Sequence, residues 1–143
     1  MKKFILVLFV FLFVVGCGST TTNELDMDKA SQAIEKRLNN MVKIEDSTLT
    51  DAYNLDLSKM EKWIFKQNEE GDLYAIIKTS NKTEVKQAMK DYFAKVKDFN
   101  SSYSPERLEI LENRLEKNLG DYLIYIVARD NESIYQDILD TMK

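Results

Sequence analysis

The chain has 143 residues, no histidine, a single cysteine and a formal net charge of −4. Lacking histidine, it cannot build His–Cys zinc sites, Cys–His or Ser–His–Asp catalytic sets, or His-ligated haem. An acidic chain without a broad basic patch is also a poor partner for nucleic acid; no cofactor and no metal are expected, and the groups left for chemistry are carboxylates, Tyr, Lys, Ser and Thr.

Lys2 and Lys3 precede an unbroken apolar run, Phe4 to Val15. At about 1.5 Å per helical residue this run reaches roughly 18 Å, well short of the ~30 Å hydrocarbon core. A basic start, a short apolar segment and small residues after it read as an export signal. Val14-Val15-Gly16-Cys17 resembles the bacterial lipobox, in which a small residue precedes a cysteine that is acylated and becomes the new N-terminus. The expected organisation is a signal peptide over residues 1–16, cleaved between Gly16 and Cys17, then a lipidated Cys17 with a flexible tether to residue 25. One domain over residues 26–143 follows. Two or more acyl chains suffice for stable anchoring at ~0.8 kcal/mol per buried CH₂. The expected location is the extracytoplasmic face of the cell membrane.

Within the domain, Asp26 or Asp28 caps a first helix with Met27, Ala30, Ile34, Leu38 and Met41 at helical spacing. Val42 to Asp56 is ambiguous, with a short helical turn around Leu49 to Leu55. Met60–Gln67 and Leu73–Thr79 read as strands, and the turn Asn68 to Asp72 joins them as a hairpin. Asn81 opens the clearest helix, with Glu84 completing a capping-box variant and Val85, Met89, Tyr92, Val96 and Phe99 on one stripe. Ser104 and Pro105 start the next helix, whose face is Leu108, Leu111, Leu115 and Leu119, and Gly120 stops it. Tyr122 to Ala128 is apolar on both faces, as expected of a strand covered on both sides near the centre of its sheet. A last helix carries Ile134, Ile138 and Met142 inward. Three strands and four helices predict a two-layer α+β domain with a mainly antiparallel sheet.

An aromatic-ending helix, then Tyr103-Ser104-Pro105-Glu106, a Leu-rich segment, Gly120-Asp121-Tyr122 and an apolar strand together resemble the DUF4358 family of small bacterial lipoproteins. Tyr74-Ala75-Ile76-Ile77-Lys78 is similar to the family's second strand, so the resemblance spans roughly Leu55 to Met142. It implies a surface lipoprotein with a small α+β domain and supplies no catalytic residues.

Tyr103 beside Pro105 is either a hydrophobic staple or an aromatic contact at an anion-attracting helix start. Lys82, Lys86, Lys90 and Lys97 fall on one flank of the Asn81 helix. They form a solvated margin or a contact surface for an anionic polymer such as teichoic acid. Glu69, Glu70 and Asp72 crowd the hairpin turn as exposed carboxylates. The function these features favour is a lipid-anchored, non-catalytic module binding a protein or a cell-wall polymer. The alternative is an envelope hydrolase or transglycosylase working through paired carboxylates, which needs two acids converging across a cleft.

Overall fold

A computed structural model describes residues 24–100, 102 and 104–143. Gly16, Cys17 and Tyr103, each singled out above, lie outside the described residues.

The elements follow from local chemistry. Helix α1 (Met27–Glu35) begins where the Asp26 carboxylate accepts the backbone N–H groups of Asp28 and Lys29, each at 3.1 Å. That satisfies donors which the first turn of a helix leaves open. A short strand β1 (Val42–Lys43) and a π-helical turn (Thr48–Ala52) occupy the stretch that the sequence leaves ambiguous. Strands β2 (Lys62–Gln67) and β3 (Leu73–Lys78) form the expected hairpin. Helix α2 (Lys82–Phe99) follows, but the Asn81 side chain makes no capping bond. The Thr79 hydroxyl instead accepts the Asn81 backbone N–H at 2.9 Å. Helix α3 (Pro105–Glu112) is capped as expected, Ser104 Oγ accepting from the Arg107 N–H at 3.3 Å with proline in the first turn. Strands β4 (Leu115–Leu119) and β5 (Tyr122–Val127) and helix α4 (Asn131–Asp140) complete the chain.

The five strands form one antiparallel sheet in the order β1-β2-β3-β5-β4. The α+β class therefore holds with five strands where three were expected. The added strands are the short β1 edge and β4. Leu111, Leu115 and Leu119 recur every four residues, close to a helical turn, which suggests that α3 continues. Four is also a multiple of two, and the stretch from Leu115 alternates as a strand does. In the structure α3 ends at Glu112. Leu115 and Leu119 then share one sheet face, while Glu116 and Asn118 are exposed. Leu119 pairs with Tyr122, leaving a two-residue turn of Gly120 and Asp121 with Gly120 at φ +57°. A glycine first in a two-residue hairpin loop supplies the positive φ that such a turn requires. Gly120 turns a hairpin; it does not end a helix.

Strand β5 is buried along its whole length, and β3 along all but Lys78. Both strands lie inside the sheet, so each of their faces needs its own cover. On one face Phe65, Ala75, Ile77, Leu123, Tyr125 and Val127 pack against Val85, Met89, Tyr92, Phe93 and Val96 of α2. On the other, Tyr74, Ile76, Ile124 and Ile126 pack against Ala30 and Ile34 of α1 and Ile134 and Ile138 of α4. The expected two layers are three, helices–sheet–helices, because strands apolar on both sides cannot leave one side in water. Phe99, placed on the α2 stripe by periodicity, is 63% exposed, its ring edge-on to Tyr53 at 5.5 Å. Helix α2 has outrun the sheet beneath it by that point.

Candidate functional site

The lysines of α2 separate into two kinds. The Lys82 ammonium donates to the carbonyl of Gly120 in the β4–β5 turn, and so ties the start of α2 to the sheet. Lys97 pairs with Glu112 of α3 at 2.5 Å. The Glu112 hydrogen bond holds the Lys97 pKa above its ordinary value, and Lys97 in turn lowers that of Glu112. Lys86 and Lys90 are exposed, one turn apart, and pair with no carboxylate among the described residues. They line an open groove with Thr83, Gln87, Arg114 and Glu116. The carboxylates bordering that groove are already engaged, Glu84 with Lys59 at 3.5 Å and Glu116 with Arg114 at 2.7 Å. Lys86 and Lys90 are thus its uncompensated charge.

The sequence offers Arg114 only as an ion-pair partner for glutamates such as Glu116, which it is, and not as part of a groove. Arg114 sits in the α3–β4 connection with its guanidinium 4.3 Å over the Phe93 ring. It also donates to the Leu111 carbonyl at 3.3 Å. Such stacking fixes the cation's plane at the groove floor. The groove offers two exposed ammonium groups, suited to phosphate or carboxylate oxygens, beside a guanidinium whose charge is already shared with Glu116.

Carboxylates elsewhere are arranged for holding the fold. Asp72, expected as an exposed turn acid, is buried and pairs with Arg107 of α3 at 2.9 Å. Asn68 receives its backbone N–H at 2.9 Å and donates to its carboxylate at 3.2 Å. The turn folds Asp72 inward while Glu69 and Glu70 stay in water. Beneath α1, one oxygen of Glu35 accepts from Lys66 at 2.5 Å, from the Tyr74 hydroxyl at 2.7 Å and from Ser31 at 3.1 Å. Burial pushes the Glu35 carboxyl up, but those three donors together with the Lys66 charge outweigh it, so its pKa lies below the ordinary carboxylate value. Burial raises the Tyr74 phenol far above its usual range. This network keeps Glu35 ionised and Tyr74 protonated, which locks α1 to the sheet and leaves no free base.

A second hollow gathers Glu24, Asp26, Asp28, Asp46 and Glu61 around Trp63. The Trp63 indole donates to Asp46 at 3.0 Å. Glu24 is held by Lys78 at 2.5 Å and by the Tyr122 hydroxyl at 3.0 Å, and those bonds lower its pKa. Wherever a carboxyl departs from its ordinary pKa in the described residues, it departs downward. A general acid of the glycosidase kind needs the opposite. Among the described residues no helix is long and apolar enough to cross a membrane, and no three potential metal ligands converge.

No curated protein and no solved structure matches the chain. The family model of the domain of unknown function DUF4358 matches residues 34–128. That stretch takes in all five strands with α2 and α3, starts near the end of α1 and stops before α4. The fold unit that carries the Lys86–Lys90 groove is therefore the one the family shares, and the chain belongs to the DUF4358 family.

Proposed function

We propose that this protein is a lipid-anchored, non-catalytic module that holds an anionic partner, a cell-wall polymer before a protein, at the outer face of the membrane. The observation that carries the binding half is the groove between α2 and β4. Lys86 and Lys90 stand unpaired there, beside an Arg114 whose plane is fixed by Phe93. In a chain of net charge −4, two adjacent free cations whose neighbouring acids are all engaged form a local reversal of sign. The anchoring half rests on Val14-Val15-Gly16-Cys17 after a basic and apolar start. The downward-shifted, paired carboxylates support binding over hydrolysis.

Two measurements test this reading. Cys17→Ser should leave the protein unacylated and move it out of the membrane fraction; unchanged retention would mean that the apolar segment itself holds the chain. Titration with soluble poly(glycerol phosphate) should show binding that weakens as salt rises, since exposed charges are screened within about 10 Å at 0.1 M. Lys86→Glu combined with Lys90→Glu should abolish it, whereas Lys36→Glu, on the opposite face of the sheet, should not. Binding that survives the double change would remove the groove as the site.

A further inference from the structure

We infer that the domain has a bilayer-facing pole, the end at which the chain enters the fold, and that the opposite pole, at the Asn68–Asp72 turn, is presented outward; this rests on the lipid-anchored reading above.

Strand and helix directions give the molecule two ends. At one, Lys62, Lys78 and Tyr122 lie in register across β2, β3 and β5. Glu24, the Gly120–Asp121 turn, the start of α2 and Met142 gather at the same end. At the other, Gln67, Leu73 and Val127 lie in register beside the Asn68–Asp72 turn. Asn39 reaches that turn through its carbonyl, which accepts from Asn68, and Arg107 reaches it through Asp72. Helix α2 runs along this axis over 18 residues, about 26 Å at 1.5 Å per residue.

The entry point has no slack. Glu24 is bonded to both Lys78 and Tyr122, Leu25 is 3% exposed, and Asp26 already caps α1. The residues read as the end of the tether are thus part of the folded body. Cys17 precedes Glu24 by seven residues, a span of at most about 25 Å even when fully extended. The entry pole is therefore leashed to the acyl chains, while the far pole lies a further domain length away. Charge does not set this orientation. At this pole Lys78 and Lys59 pair with Glu24 and Glu84, Lys82 donates to the Gly120 carbonyl, and the exposed Lys62 is matched by the exposed Glu61 beside it. Asp121 is the exposed acid of the turn. The leash dictates the approach to lipid headgroups, and the orientation should hold on neutral and anionic bilayers alike.

The test uses the full-length, acylated protein in phosphatidylcholine vesicles that carry a nickel-chelating headgroup lipid. Nitroxide labels are placed singly at Asp121→Cys and Glu70→Cys, both exposed turn positions. A second pair, Lys143→Cys and Glu69→Cys, guards against a local effect of either label. Nickel should relax the Asp121 and Lys143 labels severalfold more strongly than the Glu70 and Glu69 labels, with the same ratio when phosphatidylglycerol is added. Equal or reversed relaxation in protein that sediments with the vesicles would overturn the orientation alone. Protein that stays in the supernatant would overturn the anchored reading and this inference with it.

Discussion

The two faces of the sheet are built on different principles. The α2 face is a continuous aromatic and aliphatic contact, in which Tyr92 meets Phe65 and Phe93, and Phe93 meets Tyr125, at ring separations of 5.2–5.8 Å. The α1–α4 face is aliphatic around one polar knot, Ser31, Tyr74, Glu35 and Lys66. Apolar packing is close to non-directional and tolerates small shifts of a helix. A hydrogen-bonded knot around the buried Ser31 and Tyr74 hydroxyls fixes register, because either hydroxyl left unsatisfied costs its desolvation. The α2 face thus holds the aromatic cluster, and the α1 face sets where its helix must sit. The family match includes the whole of the first face but begins only at Ile34 on the second.

Substitutions can break this comparison one face at a time. The largest effect is expected from Phe93→Ala, which removes ring contacts to Tyr92 and Tyr125 and the platform under Arg114. Urea unfolding should show a loss of about 3–5 kcal/mol. Tyr74→Phe keeps the ring and deletes the hydroxyl that bridges Ser31 and Glu35. A loss of about 1–2 kcal/mol is expected, and an unchanged urea midpoint would show the knot to be ornamental.

The same knot should be visible in pH. Because the Glu35 pKa is lowered from its ordinary 4.5, its stabilisation is complete above that value. It is lost as pH falls through the lower, folded-state value. Glu35→Gln should flatten that part of the acid limb of a stability–pH curve, while Glu70→Gln should leave it in place. Gly120→Ala introduces a Cβ that meets no atom within 4 Å, so its cost is the strain of φ +57° alone. That strain amounts to about 1 kcal/mol, and Asn should be tolerated better than Ala. The smallest effect on folding belongs to Lys86→Glu with Lys90→Glu, within about 0.5 kcal/mol, since both are solvated. Their consequence should appear only in polyanion binding.

Much of the architecture was legible where a single period was unambiguous. The alternation at Trp63, Ile64 and Phe65 puts Ile64 on the opposite face from its neighbours, as the two cores confirm. The stripe of Val85, Met89, Tyr92 and Val96 is likewise the buried side of α2. Tyr122 and Tyr125 lie on opposite faces of β5, as strand geometry requires. The reading failed at Leu115–Leu119 because leucines spaced by four fit both periods. It failed at Asp72 because a turn acid looks solvated until Arg107, 35 residues later, is brought beside it. The groove was half legible. Helical spacing puts Lys82, Lys86, Lys90 and Lys97 on one flank, but the separation of two bound lysines from two free ones depends on Gly120 and Glu112.

By itself the sequence determined which residues turn inward on each element and where most helices start, together with the expectation that Cys17 is acylated, because periodicity, caps and motifs are local. Only the tertiary structure decided the strand order β1-β2-β3-β5-β4, the covering of both sheet faces, the Glu35 knot and the pairing state of each lysine. Those depend on which distant segments meet, and no local pattern encodes the identity of a partner one hundred residues away, as for Arg37 and Asp137.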